Sequence, residues 1–430
     1  MMTLAQELAT LRVSGSSKVG WDEHLPPNEH VDETGNFVTG DPNYGEPDPR
    51  APSQRVSNHP EVLALRQHLR ENNGIRGLEI CEPSEVQRAA TIFHRDGFVV
   101  VKDALSPEHL AAMREACERN LRTILSKPHD NDRKYLQETG RLPHRYCYGT
   151  CSASRQMMHE PAWAGIIDMP TTTPILCEIF GSSDYSVWGG GGDLSLPGAI
   201  EYQHLHTDGL DEQQDGEARL KRVLILNRLN LDASKEFEAL DFKSQRRVMD
   251  FANTGVTINF TLTDLTWENG PIRQIPGTHT NLSPPPSIYD EPEWMRLSTL
   301  VGAPAGSAIF RDTRCWHGAT PNLSNEIRAL PSVEYSANTR PGKHFQRTMP
   351  HEIWQKLSPH AQEICRNIKA DEGVWPFGAG ELHPLSSMRM KAYLAMSGEE
   401  GTVESVRTDP SSAGTVVRLF NARSDSPRGY

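Results

Sequence analysis

Val256-Thr257-Ile258-Asn259-Phe260-Thr261-Leu262 alternates apolar and polar residues without a break. A period of two is the signature of a strand with one face in a core. Runs at 97–101, 201–208, 220–229, 307–311 and 329–336 predict further strands, the first and fourth entered through a glycine. Helical spacing marks 84–96 and 106–126, and Ser106-Pro107-Glu108 supplies the second of these with an N-cap and a proline at the first helical position. The charged stretch 232–253 predicts a helical insertion between strands, and 352–368 predicts one amphipathic helix. Gly189 to Gly192 are four consecutive glycines with no Lys-Ser/Thr after them, which excludes a phosphate loop and predicts a bulge or a close backbone approach.

Many short strands in 430 residues fit one β-rich catalytic unit with extensions, since all-β units often exceed about 200 residues. The expected division is an N-terminal extension over 1–75, the β domain over 76–345, and a C-terminal extension with a helix over 346–430. Residues 1–58 open with a short helical pattern from Leu4 to Leu11 and then turn polar and rich in Gly, Pro and Asp, as an irregular arm would. No internal repeat is evident.

Charge and cysteines narrow the class. Lys plus Arg total 44 against 56 Asp plus Glu, a net charge of −12, which disfavours nucleic acid and anionic lipid as partners. Seven cysteines without regular spacing fit a reducing compartment better than a disulfide framework, and the Cys147/Cys151 pair lacks the second pair that a zinc site needs. No apolar run spans a membrane and no basic-then-apolar leader opens the chain. The tail Ser426-Pro427-Arg428-Gly429-Tyr430 is not a peroxisomal Ser-Lys-Leu address, so the expectation is a soluble, cytoplasmic protein acting on a small molecule, its oligomeric state open.

Chemistry concentrates in Gln203-His204-Leu205-His206-Thr207-Asp208 and in the distant Trp316-His317-Gly318-Ala319-Thr320-Pro321. Two imidazoles and a carboxylate on one face of an ion leave adjacent positions open, an arrangement suited to oxygen activation at non-haem iron. His-x-Asp is weak evidence alone, because His30-Val31-Asp32 and His94-Arg95-Asp96 share it. The first lies in a polar, proline-rich stretch without rigid support. The second ends a predicted helix and lacks the Asn and Gly-rich loop that a kinase catalytic loop requires. His206 and Asp208, by contrast, stand at i and i+2 of a predicted strand and so share a face. A turn over Pro321 to Asn325 would return the next strand antiparallel, with Arg328 beside the metal and able to grip a carboxylate with two hydrogen bonds.

Gly198 and Gln203 before the His-x-Asp, Asn269-Gly270-Pro271 followed by Ile275-Pro276-Gly277-Thr278-His279, and His317 through Arg328 together resemble the phytanoyl-CoA dioxygenase-like family of Fe(II)/2-oxoglutarate oxygenases, over about residues 85–340. The resemblance implies a mainly β fold, a double-stranded β-helix or jelly roll with flanking helices, and Fe(II), 2-oxoglutarate and O2 as the working set. It implies His206, Asp208 and His317 as iron ligands and Arg328 as partner of the distal 2-oxoglutarate carboxylate. Several members carry a hydroxyl residue two positions after the distal His, where this chain has Ala319; Thr320 or Ser324 is the expected substitute. Gln203 is nominated by its motif position, and Asn259 by the polar face of its strand.

The implied reaction is oxidation of an unactivated C–H of a small, carboxylate-bearing metabolite by hydroxylation, with desaturation or oxidative cyclisation as alternative fates. Asp208 itself argues against halogenation, in which related enzymes place a small residue there. Tyr202, His204 and Trp188 are candidate cavity residues, and Arg145, Arg155 and Arg314 candidate holders of an acidic substrate, with Arg311-Asp312 an adjacent structural pair. Two other classes remain in play: a metal-dependent hydrolase on a similar barrel, indifferent to 2-oxoglutarate, and a non-catalytic ligand-binding barrel.

Overall fold

The computed structural model describes chiefly residues 78–125, 145–151, 156–196, 203–209, 216–251, 255–280, 298–337 and 346–380. Its strands are β1 (Glu29–Val31), β2 (Phe37–Thr39), β3 (Ile80–Cys81), β4 (Phe98–Val101), β5 (Arg145–Cys147), β6 (Tyr185–Ser195), β7 (Gly255–Phe260), β8 (Ile272–Gln274), β9 (Thr299–Leu300), β10 (Ala308–Asp312), β11 (His317–Ala319), β12 (Arg328–Ala337), β13 (Thr402–Ser405) and β14 (Val417–Asn421). Two short antiparallel pairs, β1–β2 and β13–β14, stand apart from the main sheets.

A seven-stranded major sheet runs in the order β3-β4-β10-β7-β12-β6-β5, and a minor sheet runs β11-β8-β9. The His206–His317 bridge adds residues around 206 to the minor sheet beside β11. From β6 onward the chain visits the sheets in the sequence major, minor, major, minor, minor, major, minor, major. This is the winding of a jelly roll, with β10-β7-β12-β6 facing the 206 segment, β11, β8 and β9. The expected mainly β architecture is therefore present, and among the described strands β3–β4 is the parallel pairing.

Two apolar layers fix the sheets. Ile272 and Val301 of the minor side pack with Phe98, Val100, Ile309 and Leu330 of the major side, which marks these positions as the interior between the sheets. The larger cluster lies on the other face of the major sheet, where Val256, Ile258, Phe260, Phe310, Val333 and Tyr335 meet helices α1 (Val86–Asp96), α2 (Pro107–Leu125) and α4 (Thr173–Phe180), with α3 (Pro161–Gly165) between. The predicted alternation of β7 thus sends its apolar side to the helices and Thr257 and Asn259 to the interior.

The predicted helix starts hold: Ser106 Oγ accepts from His109 NH at 3.2 Å, capping α2. Helix α1 closes on Gly97 at φ 84°, whose NH donates to Phe93 O. The glycine run of β6 accommodates close approaches, as its composition suggests. At Gly192, φ is 122° and an added Cβ would sit 2.3 Å from Leu330 O. A register shift opposite, between Glu334 and Tyr335, leaves Trp188 in a bulge.

Three expectations give way. Residues 220–229 are no strand; Gly216–Leu226 is helix α5, whose Leu220 and Val223 pack on Leu240 and on Val248 of helix α6 (Phe242–Phe251). An apolar run of that length does not distinguish strand from buried helix. The insertion between strands is therefore a helical pair over 216–251. The amphipathic stretch near the C-terminal side is two short helices, α7 (His351–Trp354) and α8 (Pro359–Ile364), because Ser358 caps and Pro359 starts the second. Finally, β12 does not pair with β11 as an antiparallel return; the turn after β11 crosses to the other sheet, and Arg328 opens a strand of the major sheet. The Leu4 to Leu11 helix lies outside the described residues.

Candidate metal centre

On the minor sheet, Leu205, Trp316 and Ile275 share an apolar cluster. Strand alternation turns their neighbours His206, His317 and Gln274 to the opposite, interior face, where Ile272 also lies. His206 and His317 exchange backbone hydrogen bonds of 3.0 and 3.1 Å, and their ring centroids are 4.3 Å apart. The expected strand over 201–208 is, among the described residues, a single bridge at His206, and beyond it the backbone NH groups of Asp208 and Gly209 both donate to Thr313 O, which holds the carboxylate in place. Asp208 Oδ1 is 3.7 Å from His206 Nε2, and Oδ2 is 3.5 Å from His317 Nε2.

These three side chains each offer one ligand atom within 4.8 Å of the others. An ion at ordinary ligand distances of about 2.0–2.2 Å bridges such a set with small side-chain adjustment. The tautomer is also set: His317 Nδ1 lies 2.9 Å from Cys315 O, a carbonyl that can only accept, so Nδ1 carries the hydrogen and Nε2 presents its lone pair. Burial, helped by the nearby Arg311 cation, lowers the His317 pKa and keeps the ring neutral. The residues therefore fit a divalent metal, with two nitrogens, one carboxylate and open positions, the set that suits Fe(II).

Arg311 completes the centre. It lies on the interior face of β10, buried, and its guanidinium donates to Asp208 Oδ2 at 2.5 Å. Burial alone would raise the Asp208 pKa; Arg311, with both imidazoles, holds it well below the ordinary 3.8. One carboxylate oxygen is thereby fixed by the protein while the other stays available. The adjacency of Arg311 and Asp312 in sequence does not make them a pair, because successive strand residues face opposite ways. Asp312 instead holds Arg314, through Nε to Oδ1 at 2.9 Å and Nη2 to Oδ2 at 2.7 Å.

The remaining nominated residues divide sharply. Arg328 is buried on the interior face of β12, in line with Leu330, and in register with Ser195 of β6. Asn259 is buried on the interior face of β7, and its Oδ1 has no hydrogen-bond partner. Trp188 is half-buried at the β6 bulge. Thr320 and Ser324, expected as co-substrate contacts, are engaged within the protein: Thr320 Oγ1 donates to Pro271 O at 2.6 Å and Ser324 Oγ to Asn322 Oδ1 at 2.7 Å, both at the crossing between sheets. Gln203 likewise serves the strand pairing, its Oε1 accepting from Ala319 NH at 3.1 Å. Arg314, expected as a substrate holder, is bonded to Asp312 and to Met249 O. Tyr202, His204 and Arg155 lie outside the described residues, as does the side chain of Arg145.

Two buried polar groups on these interior rows escaped the sequence reading. Ser195 Oγ, beside Arg328, has no partner, and neither end of the Gln274 amide, beside His317, has one. Only cross-strand register reveals them; nothing in the local sequence marks either as polar for a reason.

Known proteins bear on this geometry. Residues 240–330, which span β7 to Arg328, match the family Phytanoyl-CoA dioxygenase (PhyH). The dioxygenase andF of Emericella variicolor is 30% identical over 147 residues, 31% of this chain and 47% of that protein, so the chain spans about half the length of that curated relative. Among solved structures, the non-haem α-ketoglutarate-dependent epimerase SnoN from nogalamycin biosynthesis is 18% identical with a TM-score of 0.36, over 59% of this chain and 84% of that one. EctD from S. alaskensis, solved with 2-oxoglutarate and 5-hydroxyectoine, is 16% identical with a TM-score of 0.39, over 66% and 84%. Those two likenesses are distant, and the jelly roll rests on the strand order. The resemblance to the PhyH-like family is borne out by the matched segment.

Proposed function

We propose that this PhyH-like chain is an Fe(II)/2-oxoglutarate-dependent oxygenase that hydroxylates an unactivated C–H of a small molecule. The observation that carries the reading is the combination on facing interior surfaces: His206, Asp208 and His317 gathered at one point, with the buried Arg328 on the opposite sheet. A metal hydrolase has use for the triad and none for Arg328.

When bound, iron with 2-oxoglutarate and O2 supplies the oxidant, the co-substrate leaving as succinate and carbon dioxide and one oxygen atom entering the substrate C–H bond. The chain's own residues bind and orient. His317 presents a neutral Nε2 lone pair, His206 would bring the second imidazole, and Arg311 keeps Asp208 ionised and turned so that Oδ1 is free to ligate. Arg328, buried on the facing sheet, would take the distal carboxylate of 2-oxoglutarate, which a guanidinium can grip with two hydrogen bonds. Ser195, in register with Arg328 and with an unsatisfied hydroxyl, takes the second contact that Thr320 and Ser324 were expected to make. Ile272, Ile309 and Leu330 form a dry wall on the same interior surfaces, which excludes water from the co-substrate.

The test is succinate release and oxygen uptake by metal-free protein given Fe(II) and 2-oxoglutarate, with Asp208→Ala as control. Slow turnover that needs both additions and disappears in the variant is expected. Zinc-supported ester or amide hydrolysis that ignores 2-oxoglutarate would replace this reading with the hydrolase.

A further inference from the structure

Across the minor sheet, backbone register lines up four interior side chains: His206 with His317, His317 with Gln274, and Gln274 with Thr299. Directly paired residues of an antiparallel sheet stand with Cβ atoms about 4.5–5.5 Å apart on one face. The first two members are metal ligands. The other two are buried polar groups left unsatisfied: Gln274 is fully buried with neither Oε1 nor Nε2 hydrogen-bonded, and Thr299 is 3% exposed with an unpartnered Oγ1. On the facing sheet, the row Ile309, Asn259, Ser332 carries a third orphan, Asn259 Oδ1. A buried amide with no partner in the protein is costly unless water or a ligand completes it, so this row calls for a polar partner from outside the chain.

The chemistry of these groups says what that ligand is. A primary amide offers one acceptor end and one donor end whichever way it is turned, and a threonine hydroxyl offers both. A carboxylate has only acceptors, so it would leave Oε1 of Gln274 and Oδ1 of Asn259 facing negative charge. The donor-only group on these facing surfaces that complements an incoming carboxylate is the guanidinium of Arg328, with the Ser195 hydroxyl able to add a donor beside it. Resting on the oxygenase reading above, we infer that Gln274 and Thr299 form the subsite that binds the substrate beside His317, and that the substrate presents a neutral hydroxyl and carbonyl there instead of a carboxylate. This replaces the acidic substrate expected from the arginines of the sequence, of which Arg314 is held by Asp312. Gln274 is a substrate-binding and specificity residue, with no part in holding iron.

Two matched fragments test the inference, 2-hydroxycyclohexanone and cyclohexanecarboxylate, added to protein loaded with Mn(II) and 2-oxoglutarate under nitrogen. Manganese at the triad broadens the proton resonances of a fragment bound beside it, and Mg(II)-loaded protein is the diamagnetic control. The hydroxyketone is expected to broaden at least about 10-fold more strongly than the carboxylate, the ratio that one charged hydrogen-bond mismatch produces. Gln274→Met, close in volume but without the amide, is expected to abolish that preference, to keep 2-oxoglutarate affinity within about twofold, and to raise the melting temperature of the metal-free protein by about 2–4 °C through removal of an unsatisfied group. Equal or stronger broadening of the carboxylate, broadening of neither fragment, or a lower melting temperature in Gln274→Met would each overturn the inference. Loss of 2-oxoglutarate affinity in that variant would overturn it too, by making Gln274 a co-substrate contact. Failure of parent protein to bind 2-oxoglutarate with any divalent metal is a different result, which sinks the oxygenase reading on which the subsite depends.

Discussion

Two arginine–carboxylate pairs meet at β10, one on each face of the strand. Arg314 and Asp312 are both buried and satisfy each other: Oδ1 receives the Arg314 NH and Nε, and Oδ2 receives Nη2. Arg311 and Asp208 make one bond between a buried guanidinium and a carboxylate that stays 31% exposed, with Oδ1 turned toward His206. The first pair is closed, with every strong acceptor used inside the protein. The second is left incomplete on the side where an ion would bind. The same division separates the hydroxyls, Thr320 and Ser324 being engaged while Ser195 and Thr299 are unsatisfied. Of these, the hydroxyls proposed for ligands are those without a partner in the protein, while the engaged ones hold the fold.

The largest break in that comparison should come from Asp312→Ala, which strands Arg314 in the core and is expected to cost about 3–5 kcal/mol of stability, read by denaturant unfolding. Arg311→Gln should act on the centre instead, with metal affinity reduced about 10–100-fold in a Mn(II) titration, as for other partners of a ligating side chain. Ser195→Ala is expected to weaken 2-oxoglutarate binding about 10-fold, the effect of one hydrogen bond to a charged group, whereas Thr320→Val should leave that affinity within about twofold and lower stability by about 1 kcal/mol. Equal effects of the two hydroxyl changes on 2-oxoglutarate would erase the distinction between them.

Acid should separate the pairs more gently. Asp312 titrates below the ordinary 3.8 in the folded protein, so its pair contributes fully above pH 3.8 and is lost only as pH falls through the lower folded value. His317 is depressed below 6.5, so the folded ring resists protonation that the unfolded chain accepts, and its contribution to stability is lost as pH falls from 6.5 toward the folded value. Metal affinity should accordingly stay level from pH 8 down to about 6.5 and decline first at His317, while the Arg314–Asp312 pair is still intact. A Mn(II) titration across pH with unfolding measured in parallel shows the order of the two losses.

The parts of this site legible in the sequence are those governed by strand period. His206 and Asp208 at i and i+2 and the alternation of β7 followed from local rules, whereas the local turn rule put Arg328 on the wrong sheet. What was not legible depends on register between distant strands. The Arg311–Asp208 bond joins residues 103 positions apart, and the Thr320–Pro271 bond spans 49. The latter consumes a hydroxyl that looked free. Adjacent in sequence, Arg311 and Asp312 read as a pair, yet the pleat puts them on opposite faces. Residues 220–229 read as a strand, Val223-Leu224-Ile225-Leu226 being apolar throughout, and a partner helix, not the local period, settles Gly216–Leu226 as helical. The contour of the barrel was written locally; the satisfaction of its polar groups was not.

The central claim is that the triad and Arg328 together form one co-substrate site. It is tested most directly by anaerobic addition of Fe(II) and 2-oxoglutarate to metal-free protein while recording the visible spectrum, in the parent, His317→Ala and Arg328→Ala. A weak charge-transfer band in the parent, absent in His317→Ala and requiring at least about 10-fold more 2-oxoglutarate in Arg328→Ala, is the predicted result. No band at saturating iron and 2-oxoglutarate, or a band indifferent to Arg328, would contradict the account.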